Sequence, residues 1–117
     1  MSYVDGFVLA VPKAKKAEYE AMAAKSWAGF KEFGAIRQVE CWGDDVPDGK
    51  VTDFRGAVKA KDGEVVLFSW IEYPSKEVRD AATQKIMTDP RMKDSFGSMP
   101  FDAQRMIFAG FAPILDV

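Results

Sequence analysis

Between Tyr3 and Val11 both alternating sets of positions are apolar: Tyr3, Phe7, Leu9 and Val11 in one, Val4, Val8 and Ala10 in the other. A strand greasy on both sides belongs inside a sheet, and Pro12 ends it. The period then changes. Tyr19, Met22, Ala23, Trp27, Phe30 and Phe33 fall on one helical stripe, predicting a helix over about Lys13–Phe33, and Gly34 stands where a left-handed residue would close it. Ala35–Gly43 reads as a second strand. The stretch DDVPDGK, residues 44–50, is dense in turn formers and predicts a loop. Over Thr52–Ala60, Phe54, Gly56 and Val58 alternate with Asp53, Arg55 and Lys59, which predicts a further strand segment. Asp62-Gly63 is a hairpin signal leading into a strongly apolar strand, Glu64–Tyr73. Ser75 is placed to cap a second helix whose buried side carries Val78, Ala82 and Ile86, and Asp89-Pro90 starts a short third helical piece. Phe96–Asp102 reads as a loop, and Gln104–Phe111 as the last strand before Pro113.

The order β-α-β-β-α-β predicts one α+β domain over residues 1–117: a ferredoxin-like antiparallel sheet with two helices on one face. The other face is equally apolar, since Val65, Leu67 and Ile71 alternate with Val66, Phe68 and Trp70. Two helices cover one face only. A second copy packed sheet to sheet is the economical cover for the other, so a homodimer is expected.

Composition narrows the chemistry. The formal net charge of -2 offers no field for a phosphate backbone, so nucleic acid is not an expected partner. Lys13, Lys15 and Lys16 are followed closely by Glu18 and Glu20, and the cluster reads as a solvated helix face. No apolar run approaches the ~18 residues of a membrane span, and the N-terminal stretch lacks the basic start of a signal peptide. Cys41 is the only cysteine, which suits the reducing cytoplasm and, beside Val39, reads as a buried, inert thiol. There is no histidine. This excludes Ser-His-Asp and Cys-His catalysis, proximal-His haem and the common zinc sites, leaving carboxylates, Lys, Tyr or Cys to move protons. Asp44, Asp45, Asp48 and Asp53 fail as a calcium loop, because Val46 and Arg55 stand at ligand positions. No metal or cofactor is expected, and no catalytic residue is singled out.

Candidate binding residues remain. Glu40 and Trp42 share one side of their strand, and Trp70 and Glu72 repeat the pairing on a later strand. Two such pairs would line one cavity, where a carboxylate against an indole would have a raised pKa; the competing reading makes the tryptophans core and the carboxylates strand-end groups. Arg105, near Asp102, shares a side with Ile107, Ala109 and Phe111. It needs a carboxylate partner: Asp102 or a carboxylate across the dimer in a structural ion pair, or the carboxylate of a small organic acid. The loop over residues 96–102, with Phe101, would form the pocket rim.

Four stretches, MSYVDGFVLAVPK, VECWGDDVPDGKVTDF, FSWIEYPSKEVRDA and MPFDAQRMIFAGFAPI, resemble the YbaA-like family of bacterial proteins, and the resemblance spans nearly the whole chain. It implies the dimeric α/β-barrel superfamily, whose members include cofactor-free monooxygenases, muconolactone isomerases, haem enzymes and proteins without known activity; it carries no catalytic residue onto any position here. Two readings follow. In one, the protein binds a small organic or aromatic acid, as a binding protein or a cofactor-free isomerase or monooxygenase-like enzyme. Its ligand lies between helices and sheet or inside the dimer, against Tyr3, Phe7, Trp42, Trp70 and Phe101, with Glu40, Glu72 and Arg105 as polar contacts. In the other, it is a non-catalytic interaction module whose apolar face serves only to dimerise. The first needs a cavity of some hundreds of Å³ with convergent polar groups.

Overall fold

A computed structural model of the chain describes residues 2–96 and 99–117, with residues 95 and 96 described by backbone alone. Strand β1 (Tyr3–Pro12) runs through a 3-10 turn at Lys13–Lys15 into α1 (Lys16–Glu32) and β2 (Arg37–Trp42). One helical turn, α2 (Phe54–Ala57), precedes β3 (Glu64–Tyr73), which is followed by α3 (Lys76–Thr88) and α4 (Pro90–Phe96). A second 3-10 turn, Ala103–Arg105, leads into β4 (Ile107–Phe111). The strands form one sheet in the order β2-β3-β1-β4, with every neighbouring pair antiparallel. Each helical crossover thus skips one strand, which is the ferredoxin-like α+β arrangement that the element order predicts. The two strands with both sides apolar, β1 and β3, are the two central ones.

Register decides what shares a face. Phe7 lies beside Ser69 and Leu9 beside Leu67, so the odd positions of β1 and β3 together face the helices. There Leu9, Val11 and Leu67 pack with Tyr19 and Ala23 of α1, and Ile71 and Tyr73 pack with Phe30, Ala82 and Met92. Each fully buried leucine contributes about 1.5–3 kcal/mol by leaving water. The ends of α1 and α3 follow their signals. Gly34 takes φ 114, and a Cβ there would also stand 2.5 Å from Val78 Cγ1. Ser75 Oγ accepts the Val78 amide at 3.2 Å. Removing this cap by Ser75→Ala is expected to lower stability by about 1 kcal/mol, read as a lower urea midpoint at unchanged slope.

The segment Thr52–Ala60 is not a strand. Asp53 accepts the amides of Gly49 at 3.0 Å and Gly56 at 2.5 Å and turns the chain into α2. Lys59 then takes φ 50, and the Arg55 guanidinium donates to the carbonyls of Glu64 and Lys61. The alternation there is that of a cap and a turn. β3 already has β1 and β2 as neighbours, so no edge is free to receive another strand beside it. The segment does something else: it covers part of the face away from the helices. Val58 is buried against Ala10 and Val66, with Val46 and Ala60 alongside. That face is therefore not bare, as the sequence suggests, but covered at one end. The other end, with Val4, Trp70 and Ile107, stays open; Phe68 is 44% and Phe111 57% exposed, and β4 is exposed along its whole length.

Other expectations shift less. β2 starts at Arg37 because the Ala35 amide is used closing α1 onto Phe30 O. β4 starts at Ile107 because Asp102 caps the 3-10 turn through the Gln104 amide at 3.0 Å. Phe96 ends α4, while Gly97 and Ser98 of the expected 96–102 loop lie outside the described residues. Cys41 is exposed, not buried, because it sits on edge strand β2 beside Phe68, beyond the cover provided by α2.

Candidate functional site

A cleft of about 600 Å³ opens between α1, α3 and the sheet. Phe7, Met22, Phe30, Ile86, Met99 and Met106 give it apolar walls. Four of the cleft's polar residues gather on its β2–β3 side. Glu40 lies in register with Ser69, so both point toward the helices, and Tyr19 descends from the buried stripe of α1. The Glu40 carboxylate accepts the Tyr19 hydroxyl at 2.5 Å on Oε1, and the Ser69 hydroxyl at 2.7 Å and Gln38 Nε2 at 3.2 Å on Oε2. Burial, with Glu40 adjoining, pushes the Tyr19 phenol well above its ordinary range, so it keeps its proton. Gln38 Nε2 also donates to Ala23 O at 3.4 Å, while Gln38 Oε1 is buried without a hydrogen-bond partner.

A second polar group stands on β1 and α3. Arg79 lies over the Tyr3 ring at 4.7 Å and donates to the Tyr3 hydroxyl at 2.8 Å. Its Nε sits 3.6 Å from Asp5 and 3.4 Å from Asp80. Burial raises the Asp5 carboxyl despite Arg79, and Tyr73 is pushed up to about 12 by burial and by Asp5. β4 passes close to this group only because residue 110 is glycine: a Cβ there would lie 2.4 Å from both Arg79 Nη2 and the Tyr3 hydroxyl.

The residues expected to form one site are divided. Phe7 and Glu40 line the cleft, and Tyr3 supports it through Arg79. Phe101 packs edge-on against Tyr19 at 5.8 Å, at the cleft's border. Trp42 is on the same side of the sheet but lies under Lys16, whose Nζ is 5.5 Å from its ring. Trp70 and Glu72 are on the opposite face, because β2 pairs with β3 so that Glu40 meets Ser69 and Val39 meets Trp70. The two Trp-carboxylate pairs therefore do not share a cavity. Trp70 donates to Glu72 at 3.0 Å, and Arg37 sits over that indole at 5.9 Å.

Arg105 has its partners within the chain. It binds Glu64 through both Nη atoms at 2.7 Å and Asp102 through Nε at 3.1 Å, and it donates to Lys59 O at 2.9 Å. This clasp ties the last 3-10 turn to the start of β3 and to the covering segment. Arg105 holds the Glu64 carboxyl down at about 2. With the folded value below the unfolded one, the clasp stabilises fully above about pH 4.5 and fades as pH falls toward about 2. Glu64→Gln is expected to cost about 2 kcal/mol at pH 7, with the urea midpoints of variant and parent converging near the lower limit.

The sequence reading missed Asp5, Tyr19, Gln38, Ser69 and Arg79. The available signal was parity: Asp5 and Ser69 are the polar members of the helix-facing sets of two otherwise apolar central strands, and Tyr19 is the polar-tipped member of the α1 stripe.

The comparisons with known proteins agree with the fold. Residues 2–103 match the family model described as Protein of unknown function (DUF1428). The chain is 69% identical over 116 residues to the uncharacterized protein YbaA of Escherichia coli strain K12, covering 99% of each, and equally to that of Shigella flexneri. Among solved structures it is similar to Rv0793 from Mycobacterium tuberculosis, at TM-score 0.55 and 14% identity over 99% of this chain and 98% of that one. It is also similar to a dimeric ferredoxin-like protein from an uncultured marine organism, at TM-score 0.56 and 9% identity over the same shares. At those identities the likeness speaks for the fold alone. Among the described residues no helix is long and apolar enough to cross a membrane. With a family model covering residues 2–103 and relatives alike from end to end, the chain belongs to the DUF1428 family, together with YbaA.

Proposed function

We propose that the protein is a homodimer that binds a small organic molecule in the cleft between α1, α3 and the sheet. The observation that carries this reading is the cleft itself. At about 600 Å³, with apolar walls and a polar cluster centred on Glu40, it has the size and make-up of a small-molecule site. A protein that uses its sheet only to dimerise has no need of three donors converging on a carboxylate beneath open space.

Dimerisation is supported by the open half of the far face. A concavity of about 730 Å³ there is lined by Val4, Val8, Phe68, Trp70, Ile107 and Phe111, among others. Beside it runs an edge strand, IFAGF, exposed at every position, a combination that isolated chains avoid. One solved structure of similar fold is itself dimeric. The cytoplasm is the proposed setting, since there an exposed Cys41 stays a thiol.

A cofactor-free isomerase or monooxygenase-like activity is the catalytic form of the proposal, and Glu40, which accepts the Tyr19 hydroxyl, is the group within the cleft suited to move a proton. The organic-acid form needs a cation. Arg105 is held by Glu64 and Asp102, which leaves Arg79 as the arginine in the cleft lining. A thermal-shift screen against aromatic acids, amines and neutral aromatics tests the proposal. Saturable stabilisation by at least one class, about 2.7 kcal/mol at a hundredfold excess over Kd, is expected. No response to any class contradicts it and favours the interaction-module reading.

A further inference from the structure

We propose that the polar floor of this cleft selects a molecule that donates hydrogen bonds from an apolar body, a primary amine above all, and rejects carboxylates. This inference rests on the reading of the cleft as a binding cavity. The hydroxyl and amide protons on this floor are already committed. A carboxylate only accepts. Glu40 takes the single hydroxyl proton of Tyr19 and the single hydroxyl proton of Ser69. Both hydroxyls are then left with oxygen lone pairs alone, so a ligand meets them as acceptors. Gln38 repeats the pattern. Its amide nitrogen is turned to Glu40 and to Ala23 O, and the oxygen left over is buried with no hydrogen-bond partner.

The charges in the lining point the same way. Asp5, Glu40 and Arg79 are its ionisable groups besides tyrosine, two acids against one base. Arg79 does not offer an open anion seat. Its Nε is buried without a hydrogen-bond partner and so does not reach the open cleft, standing 3.6 Å from Asp5 and 3.4 Å from Asp80; its Nη2 donates to Tyr3, and its plane covers the Tyr3 ring. A carboxylate entering the cleft would meet lone pairs at the Glu40 end and a neutralised arginine at the Asp5 end. Leaving such acceptors and such a charge unmatched costs more than a good hydrogen bond returns. An ammonium group meets the hydroxyl oxygens of Tyr19 and Ser69 as acceptors, while its apolar body lies among Phe7, Phe30 and the methionines, whose flexible side chains adapt to its outline.

Four probes with one body test this: phenethylamine, 2-phenylethanol, 3-phenylpropionate and ethylbenzene, titrated into the full chain and followed by amide chemical shifts on β2 and β3. The amine is expected to bind about tenfold or more tightly than the carboxylate, with the alcohol between them. Equal or tighter binding of the carboxylate overturns the inference while leaving the cleft reading intact. No binding by any probe, ethylbenzene included, overturns the cleft reading and this inference with it. Glu40→Gln supplies an N–H to one hydroxyl and so turns that hydroxyl proton toward the cavity; the amine preference is expected to shrink several-fold. Should that variant not fold, Ser69→Ala removes one acceptor and is expected to weaken the amine while sparing ethylbenzene. An undiminished amine preference in the folded variant contradicts the assignment of these groups.

Discussion

Glutamate in place of Phe68 is expected to give a folded single chain where the parent is expected to be a dimer. The expectation follows from where Phe68 stands. It is on central strand β3 but on the face away from the helices, beyond the cover that Val58 gives to Ala10 and Val66, and it is 44% exposed in the isolated chain. A carboxylate there reaches water in a monomer and costs the fold little beyond the edge contacts with Phe54 and Trp70. Between two packed sheets the same carboxylate is desolvated twice over, once in each protomer. Each unpaired burial costs several kcal/mol, so a rise in the dimer dissociation constant of at least about a hundredfold is expected. Sedimentation equilibrium at micromolar concentration reads the change in mass, and far-UV circular dichroism reads the fold. A variant of unchanged mass would place the interface elsewhere.

The second large effect is expected at Glu40. In Glu40→Ala the Tyr19 hydroxyl, the Ser69 hydroxyl and one Gln38 amide proton lose their acceptor together. Ser69 is 3% and Tyr19 6% exposed, so water replaces the lost acceptor only from the cleft side. An unsatisfied buried polar group costs about 1–3 kcal/mol, and the neighbouring cleft lets some of these groups turn toward water, so a loss of about 3 kcal/mol is expected. Glu40→Gln keeps an acceptor for one hydroxyl and is expected to lose less than half as much. The two urea midpoints, compared at equal slope, check the ranking. A loss below about 1 kcal/mol in the alanine variant would mean that the network is not closed as the distances imply.

Much of the fold is legible in the chain because local and global preferences agree. The doubly apolar segments Tyr3–Val11 and Glu64–Tyr73 are the central strands, the Tyr19-to-Phe33 stripe is the helix that covers them, and Ser75 and Asp89 begin helices where they are expected to. Thr52–Ala60 misleads because a period of two over a few residues also arises from a capped turn, and only the tertiary contacts of Val58 distinguish them. The site is less legible. Glu40 was visible as a carboxylate beside a tryptophan, but its true companion is Ser69 across the ladder, and cross-strand register is not written in either strand alone. The same missing register put Trp70 and Glu72 on the wrong side of the sheet. Arg105 was recognisable as a cation that needed a partner, yet Glu64, which takes both its Nη atoms, is 41 residues away.

In the proposed dimer a second chain covers the open half of a sheet that α2 covers only in part. The mass of the unaltered protein by sedimentation equilibrium, followed down to low micromolar concentration, tests this most directly. Twice the chain mass is the predicted result. A single-chain mass, with Trp70 open to a soluble fluorescence quencher, would contradict it.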